Sequence, residues 1–137
     1  MSAFDLSAKR VLVLLSLCAA MAIALQAQTF TMLFRFDSED GANPTGALIQ
    51  STDRNFYGTT ESGGDNGVGG TVFKISPGGA LSTVYNFCLQ SNCPSGANPL
   101  GGVVQGTDGN FYGTTSYGGA DSQGTVFKGV HDMKVRV

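Results

Sequence analysis

Charged side chains are scarce in this chain: Asp, Glu, Lys and Arg together make up 13% of its 137 residues. The charge that is present is slightly acidic, with 10 acidic and 8 basic residues and a net charge of −2. Nucleic-acid binding depends on Lys and Arg that neutralise phosphates, so this balance disfavours a nucleic-acid partner. The low charge also argues against a disordered chain.

Side chains for metal or nucleophilic chemistry are also few. The single histidine, His131, lies in a tail beyond the repeats described below, so no Ser/His/Asp arrangement is arguable. Cys88 and Cys93 form one C-x4-C spacing without the second pair that a zinc site needs. The Gly-Gly pairs at 63–64 and 118–119 lack the Lys and the strand-to-helix context of a phosphate loop. We therefore expect no catalytic residue, no metal and no cofactor.

The first 27 residues have the pattern of a helical secretory signal peptide. Lys9 and Arg10 form a positive n-region, and Val11 to Leu25 is an apolar run that is short for a membrane span. We predict an exported protein, secreted, periplasmic or at the cell surface, that meets the membrane only through this segment before cleavage. A retained anchor is the alternative.

Cleavage can follow Ala24 or Ala27, and we favour Ala27 because Thr29 begins the next predicted strand. Removal of residues 1–27 takes away one acidic and two basic residues, which leaves a net charge of −3. Of the 3 cysteines, Cys88 and Cys93 remain, an even number in an exported chain. We predict that they form a disulfide, which for so short a loop contributes about 2 kcal/mol.

Glycine is abundant, at 20 residues, and a hexapeptide occurs twice, 55 residues apart. Ala-Asn-Pro precedes each copy, and a Gly-rich loop followed by Gly-Thr-Val-Phe-Lys comes after it. A period near 50 residues predicts a propeller or a similar array. The residues of this repeat signature are Asn55, Phe56, Tyr57, Gly58, Thr59 and Thr60, and Asn110, Phe111, Tyr112, Gly113, Thr114 and Thr115.

Each repeat reads as four short strands. In the first repeat they are Thr29 to Phe36, which alternates with Phe on one face, Ala47 to Gln50, Phe56 to Thr60 and Thr71 to Ile75. Asn55, in the turn between the second and third, is a candidate for left-handed geometry. Leu81, Thr83, Tyr85 and Phe87 begin the second repeat in the places of Phe30, Met32, Phe34 and Phe36.

The predicted fold is therefore all-β, with tandem four-stranded antiparallel repeats that resemble propeller blades. We divide the chain into a signal peptide (1–27), a first repeat (28–80), a second repeat (81–128) and a tail without the repeat pattern (129–137). Two blades form a partial propeller, because about four are needed to close a ring. The open strand edges can pair with further repeats or with a second chain.

Three features admit a functional interpretation beside a structural one. The aromatic pairs of the signature can stack on sugars, but we favour packing in the core and between blades. The loops Glu61 to Gly70 and Ser116 to Gly124 carry oxygen ligands suited to calcium, but their positions do not repeat, and we favour surface turns. Asp53 and Asp108 are the only acids that repeat, and a carboxylate pair can hydrolyse glycosides. Both lie in turn signals, where Asp binds its own backbone.

The signature, the Gly-Gly loop, Gly-Thr-Val-Phe-Lys and the aromatic strand that follows together resemble the GloVer-type tandem repeat of exported bacterial "choice-of-anchor" proteins. The resemblance covers about residues 29–128, and Cys88 to Cys93 looks like the cysteine-bearing variant of that repeat. The family has no established activity. We expect an exported, non-enzymatic β-repeat module for binding or surface display; the alternative is a fragment of a carbohydrate-active propeller enzyme.

Overall fold

The computed structural model describes residues 28–129. Within that range the chain forms two antiparallel sheets and no helix, and the compact unit that begins at Met32 carries every strand. This confirms the all-β, antiparallel class for the described residues. They include no helix long and apolar enough to span a membrane. The predicted signal peptide (1–27), and the predicted tail beyond its first residue, lie outside this range.

The first sheet has four strands that follow one another in sequence order and in space. β2 and β3 pair with Gly58 opposite Phe73, and the pairing of β3 with β4 shifts by one residue between Val72 and Phe73. β-Branched and aromatic residues fill these strands, as a pleated and half-buried surface favours. The strands are β1 (Ile49–Gln50), β2 (Phe56–Thr60), β3 (Thr71–Ile75) and β4 (Leu81–Asn86).

The second sheet has three strands among the described residues, β5 (Val104–Gln105), β6 (Phe111–Thr115) and β7 (Thr125–Gly129). Its register repeats that of the first sheet, since Gly113 lies opposite Phe127 as Gly58 lies opposite Phe73. β4 completes the first sheet and not the second. The repeat boundary that the sequence predicts between residues 80 and 81 therefore falls between the third and fourth strands of one sheet.

The strand predicted at Thr29 to Phe36 is wrong, because the structure assigns no strand to these residues. The segment that matches it in the second repeat, Leu81–Asn86, becomes a strand by pairing with β3. A strand needs a hydrogen-bonded neighbour as well as an alternating pattern. No described strand pairs with residues 29–36.

The turns between β1 and β2 and between β5 and β6 have the same form. Arg54 has a φ of 68° and its counterpart Gly109 a φ of 78°, so the left-handed residue is the one before Asn55. The prediction that placed Asn55 in this conformation is wrong by one position. The Ser51 N–H donates to the Asn55 carbonyl at 2.9 Å, which closes the turn with Asn55 already in line with β2.

The core lies between the two sheets. Its buried members come from both, and they are Tyr57, Val72, Phe87, Val103 and Phe111. The segments that lead into β1 and β5 also touch: a Cβ on Gly46 would overlap the backbone nitrogen of Gly102. Glycine is required here because two backbones approach more closely than a side chain permits.

Candidate functional site

The repeated acid of the first repeat, Asp53, binds its own turn. Its Oδ1 accepts the backbone N–H of Asn55 at 3.0 Å, and its Oδ2 accepts Asn55 Nδ2 at 2.8 Å. The Tyr57 hydroxyl donates to the same Oδ2 at 3.0 Å. The spacing of these three residues, at i, i+2 and i+4, connects the turn to the buried face of β2.

Asp108 makes the same contacts in the second repeat. It accepts the N–H of Asn110 at 3.1 Å, Asn110 Nδ2 at 2.6 Å and the Tyr112 hydroxyl at 2.7 Å, and Lys128 Nζ lies 3.2 Å from its Oδ2. The hydrogen bonds from Asn110, then from Tyr112, hold the pKa of Asp108 well below its ordinary value of 3.8. The neighbouring Tyr112 and Asp108 in turn raise the pKa of Lys128. An acid held ionised by structural donors is suited to fixing a turn and unsuited to giving up a proton.

The threonine that ends each signature forms a second repeated contact. The hydroxyl oxygens of Thr60 and Thr71 lie 2.9 Å apart, and the Thr71 N–H donates to Thr60 Oγ1 at 3.0 Å. Thr115 and Thr125 repeat both contacts, each at 2.9 Å. These hydroxyls bind β2 to β3 and β6 to β7 where the strands meet the Gly-rich loops.

The signature aromatics meet between the sheets. The ring of Tyr57 stacks on that of Phe111, with centroids 4.2 Å apart, and both rings are buried. This burial between the sheets agrees with core packing, the interpretation that we favour from the sequence. Phe56 and Tyr112 lie on the opposite faces of their strands and are half-buried.

Thr59 bridges the sheets by a contact that sequence reasoning missed. Its Oγ1 donates to the Gly101 carbonyl at 2.8 Å, and the residue is 1% exposed. No local signal marks it, because Thr59 and Thr114 hold the same place in a repeated motif and only Thr59 is buried. Its counterpart in the second repeat, Thr114, is exposed on the face of the second sheet that points away from the first sheet.

Ala-Asn-Pro, which precedes each signature, also joins the repeats. The Asn98 N–H donates to the Gly69 carbonyl at 2.9 Å, and its Nδ2 donates to the Glu61 carbonyl at 3.0 Å. Both acceptors belong to the Gly-rich loop of the first repeat. Asn98 has a φ of 54° and Asn43, its counterpart, a φ of 57°, a conformation that Asn tolerates well.

Two polar side chains of the first Gly-rich loop bind the end of β4 and the segment that follows it. Asp65 Oδ2 accepts Asn86 Nδ2 at 2.8 Å, and Asn66 Nδ2 donates to the Cys88 carbonyl at 2.9 Å. Among residues 28–129 no group of three or more His, Cys, Asp or Glu side chains is placed to hold a metal ion. The loop has the contacts of a structured surface turn.

Asp37 organises the acidic loop that precedes β1 in the first repeat. Its Oδ1 accepts the N–H groups of Glu39 and Asp40, at 3.1 and 3.2 Å. Burial, then the charge of Asp37, raises the pKa of Asp40. The Asp37 carboxylate therefore binds backbone donors of its own loop.

Cys88 and Cys93 lie at bonding distance, with Cα atoms 4.1 Å apart. The predicted pair is therefore geometrically formed in the structure. Both cysteines have positive φ, of 60° and 47°, so the pair closes a tight loop just beyond β4.

A cavity of about 370 Å³ lies beside the edge of β7. Val84, Tyr85 and Phe87 line it from the first sheet, and residues 125–129 line it from the second. It has an aromatic wall and one charged residue, Lys128, but Asp53 and Asp108 do not line it. The repeated acids therefore do not converge on the described cavity.

A sequence model of the Gloeobacter/Verrucomicrobia repeat matches residues 19–135. This match covers both copies of the signature and confirms the GloVer-type resemblance. No match was found among the curated proteins or the solved structures.

Proposed function

The chain belongs to the Gloeobacter/Verrucomicrobia repeat family, and on that basis we propose that it is an exported, non-enzymatic β-repeat module for binding or surface display. The two sheets act as propeller-like blades in this proposal. Their face-to-face packing, with a core of side chains from both, supports the comparison.

The observation that carries the proposal is the use made of the repeated polar side chains. Asp53 and Asp108 each bind an Asn and a Tyr of their own repeat, and Thr60 and Thr115 bind the neighbouring strand. An active site at a propeller centre would instead need acids that differ between repeats and converge. The repeated residues build the scaffold, which leaves the loops and outer faces for partners.

Export is proposed from the sequence of residues 1–27 and is supported by the cysteine pair. Cys88 and Cys93 at bonding distance suit an oxidising compartment, where such pairs persist.

The experiment that tests the proposal follows the full chain in a bacterial host. We expect it in the exported or surface fraction, sensitive to protease added outside the cell, with a new N-terminus after Ala24 or Ala27. Leu14→Arg, which interrupts the apolar run, is the matched control and should keep the chain inside the cell. Retention of the unaltered chain in the cytoplasm would contradict export.

The purified exported protein is then incubated with a panel of polysaccharides. Retention on one of them, or on isolated cell envelopes, without release of reducing sugar supports a binding or display module. Hydrolysis that disappears in Asp108→Asn, while circular dichroism remains unchanged, would overturn it in favour of a carbohydrate-active enzyme.

A further inference from the structure

Equivalent residues of the two sheets differ sharply in exposure. Val72 in β3 is 3% exposed, whereas Val126, which holds its place in β7, is 79% exposed. The reverse holds just before the short first strands: Leu48 is 51% exposed, whereas its counterpart Val103 is 2% exposed. The outer face of the second sheet is thus uncovered at Val126, and that of the first sheet is uncovered at Leu48, although Phe73 and Ile75 on the same face as Leu48 are buried.

The residues on these two outer faces are the repeat counterparts of the residues through which the two sheets contact each other within the chain. Within the chain, the first sheet contributes Tyr57, Thr59 and Val72, and the second sheet contributes Val103 and Phe111. The outer face of the second sheet carries Tyr112, Thr114 and Val126, which are the counterparts of the three residues from the first sheet. The outer face of the first sheet carries Leu48 and Phe56, which are the counterparts of Val103 and Phe111.

We propose that a second copy of this chain docks head to tail, with its first sheet on the outer face of the second sheet, and reproduces the internal contact between the sheets. In this interface Tyr112 stacks on Phe56 of the partner subunit as Tyr57 stacks on Phe111. The Thr114 hydroxyl donates to the carbonyl of Gly46 of the partner subunit as Thr59 donates to Gly101. The proposal goes beyond the proposed function and does not depend on it.

The edge of β7 supplies a second part of the interface. β3, its counterpart, pairs with β4, and the segment equivalent to β4 at the start of the compact unit is Met32 to Phe36. The rings of Phe34 and Phe36 are arranged like those of Tyr85 and Phe87. The centroids of the first pair lie 5.4 Å apart with an interplanar angle of 78°, and those of the second pair lie 5.0 Å apart with an angle of 77°. The segment is thus arranged as a fourth strand, although no described strand pairs with it.

The packing beneath this segment also repeats. The Phe36 ring lies 5.1 Å from that of Phe73, as the Phe87 ring lies 5.1 Å from that of Phe127. In the first sheet Phe73 of β3 faces Thr83 of β4, so the equivalent pairing places the partner's Met32 opposite Phe127. Opposed residues share a face, so the partner's Met32 would cover the cavity beside β7.

This contact joins two different surfaces, so a docked pair of chains still carries one unused surface of each kind. Such a heterologous interface continues until it closes into a ring or extends as a fibre. Propellers commonly close with four to eight blades, so a ring of about two to four chains is expected.

The experiment measures the mass of the exported full chain in solution by light scattering over a dilution series. The unaltered protein should form discrete oligomers of even blade number that dissociate on dilution. Val126→Lys and Leu48→Lys should each raise the dissociation constant by about a hundredfold or more, because each would bury an unpaired charge. Val68→Lys, at an exposed loop residue outside both faces, is the matched control and should assemble normally.

Mixing the two variants gives the sharper result. Val126→Lys retains an intact first sheet and Leu48→Lys an intact second sheet, so together they can make one sound interface and no more. The mixture should give dimers although each variant alone is monomeric. A monomeric or aggregated unaltered protein would overturn the proposal, and so would a mixture that remains monomeric. Circular dichroism and urea midpoints equal to those of Val68→Lys show that the variants are folded.

Discussion

Tyr57 stacks on Phe111 across the two sheets, with ring planes inclined by 29°, although the two residues are not equivalent in the repeat. Tyr57 is the second residue of its Phe-Tyr pair, and Phe111 is the first residue of the next. Because successive strand residues point to opposite faces, one dipeptide equips each sheet with a Tyr face and a Phe face. A tandem array of such sheets therefore packs by a contact that is already encoded within every repeat.

Thr59 and Thr114 provide a matched test of the bond between the sheets. Thr59→Val removes the hydroxyl that donates to Gly101 and should lower the free energy of unfolding by about 1 kcal/mol. Thr114→Val, at the exposed equivalent position, should change it by less than about 0.5 kcal/mol. Urea unfolding at low protein concentration measures both. Equal effects would mean that the Thr59 bond contributes nothing specific.

Loss of the Asp53 carboxylate should destabilise the first repeat. Asp53→Ala leaves the hydroxyl of buried Tyr57 and the N–H of Asn55 without this acceptor, at a cost of about 1 to 3 kcal/mol. Asp121→Ala, at an exposed loop acid, is the control and should be close to neutral. Thermal unfolding followed by circular dichroism distinguishes them; a melting temperature unchanged in Asp53→Ala would contradict the structural role of the turn.

The lowered pKa of Asp108 predicts an acid-dependent loss of stability. A carboxylate whose pKa is lower in the folded state stabilises the fold fully above the ordinary pKa of 3.8, and this stabilisation is lost as pH falls below it. The raised pKa of Asp40 acts in the opposite direction. The comparison with Asp108→Asn isolates the Asp108 contribution, because that variant keeps Asp40.

Urea midpoints are measured for the unaltered chain and for Asp108→Asn from neutral pH to below pH 3.8. We expect the unaltered chain to be the more stable at neutral pH and the difference to shrink on acidification. A difference that is independent of pH would show that the Asp108 charge has no role.

Gly96 tests the close packing between the loop before β5 and the end of β6. It has a φ of 95°, and a Cβ there would overlap the hydroxyl of Thr115. Gly96→Ala should therefore cost about 2 to 4 kcal/mol through backbone strain and overpacking. Gly101→Ala, where nothing lies within 4 Å of the added Cβ, is the control. Chemical unfolding of both variants gives the comparison, and equal stabilities would contradict the packing.

The cysteine pair predicts a redox-dependent stability. Cys88→Ser with Cys93→Ser should lower the free energy of unfolding by about 2 kcal/mol, as expected for a short closed loop. Reductant should destabilise the unaltered chain to the same level and leave the double variant unchanged. Thiol titration of the exported protein under denaturing conditions should detect no free thiol at these positions. Two reactive thiols would show that the pair does not form.

The first repeat shows which strands can be predicted from the local sequence pattern and which cannot. Phe56–Thr60 and Thr71–Ile75 were predicted at their observed bounds, because alternation and turn residues define them locally. Thr29 to Phe36 has an equally good alternation but no strand beside it among the described residues. Pairing is a property of neighbours distant in the chain, which one segment cannot reveal.

The same division applies to the site. Asp53 and Asp108 were expected to bind their own turns, and both do, because the acceptor and its donors lie within four residues. The contacts of Thr59 with Gly101 and of Asn98 with Gly69 join residues of different repeats. Their spacing along the chain carries no local signal.

By itself, the sequence determined the repeat, the strand class, the turn acids and the cysteine pair, since each depends on residues close together in the chain. Tertiary structure alone decided which sheet receives Leu81–Asn86, and which of two identical faces is covered. Val72 and Val126 occur in the same Gly-Thr-Val-Phe-Lys motif, yet one is buried and the other exposed. Burial depends on what packs against a face, whereas a repeated sequence only places the same residues on the equivalent faces of the two sheets.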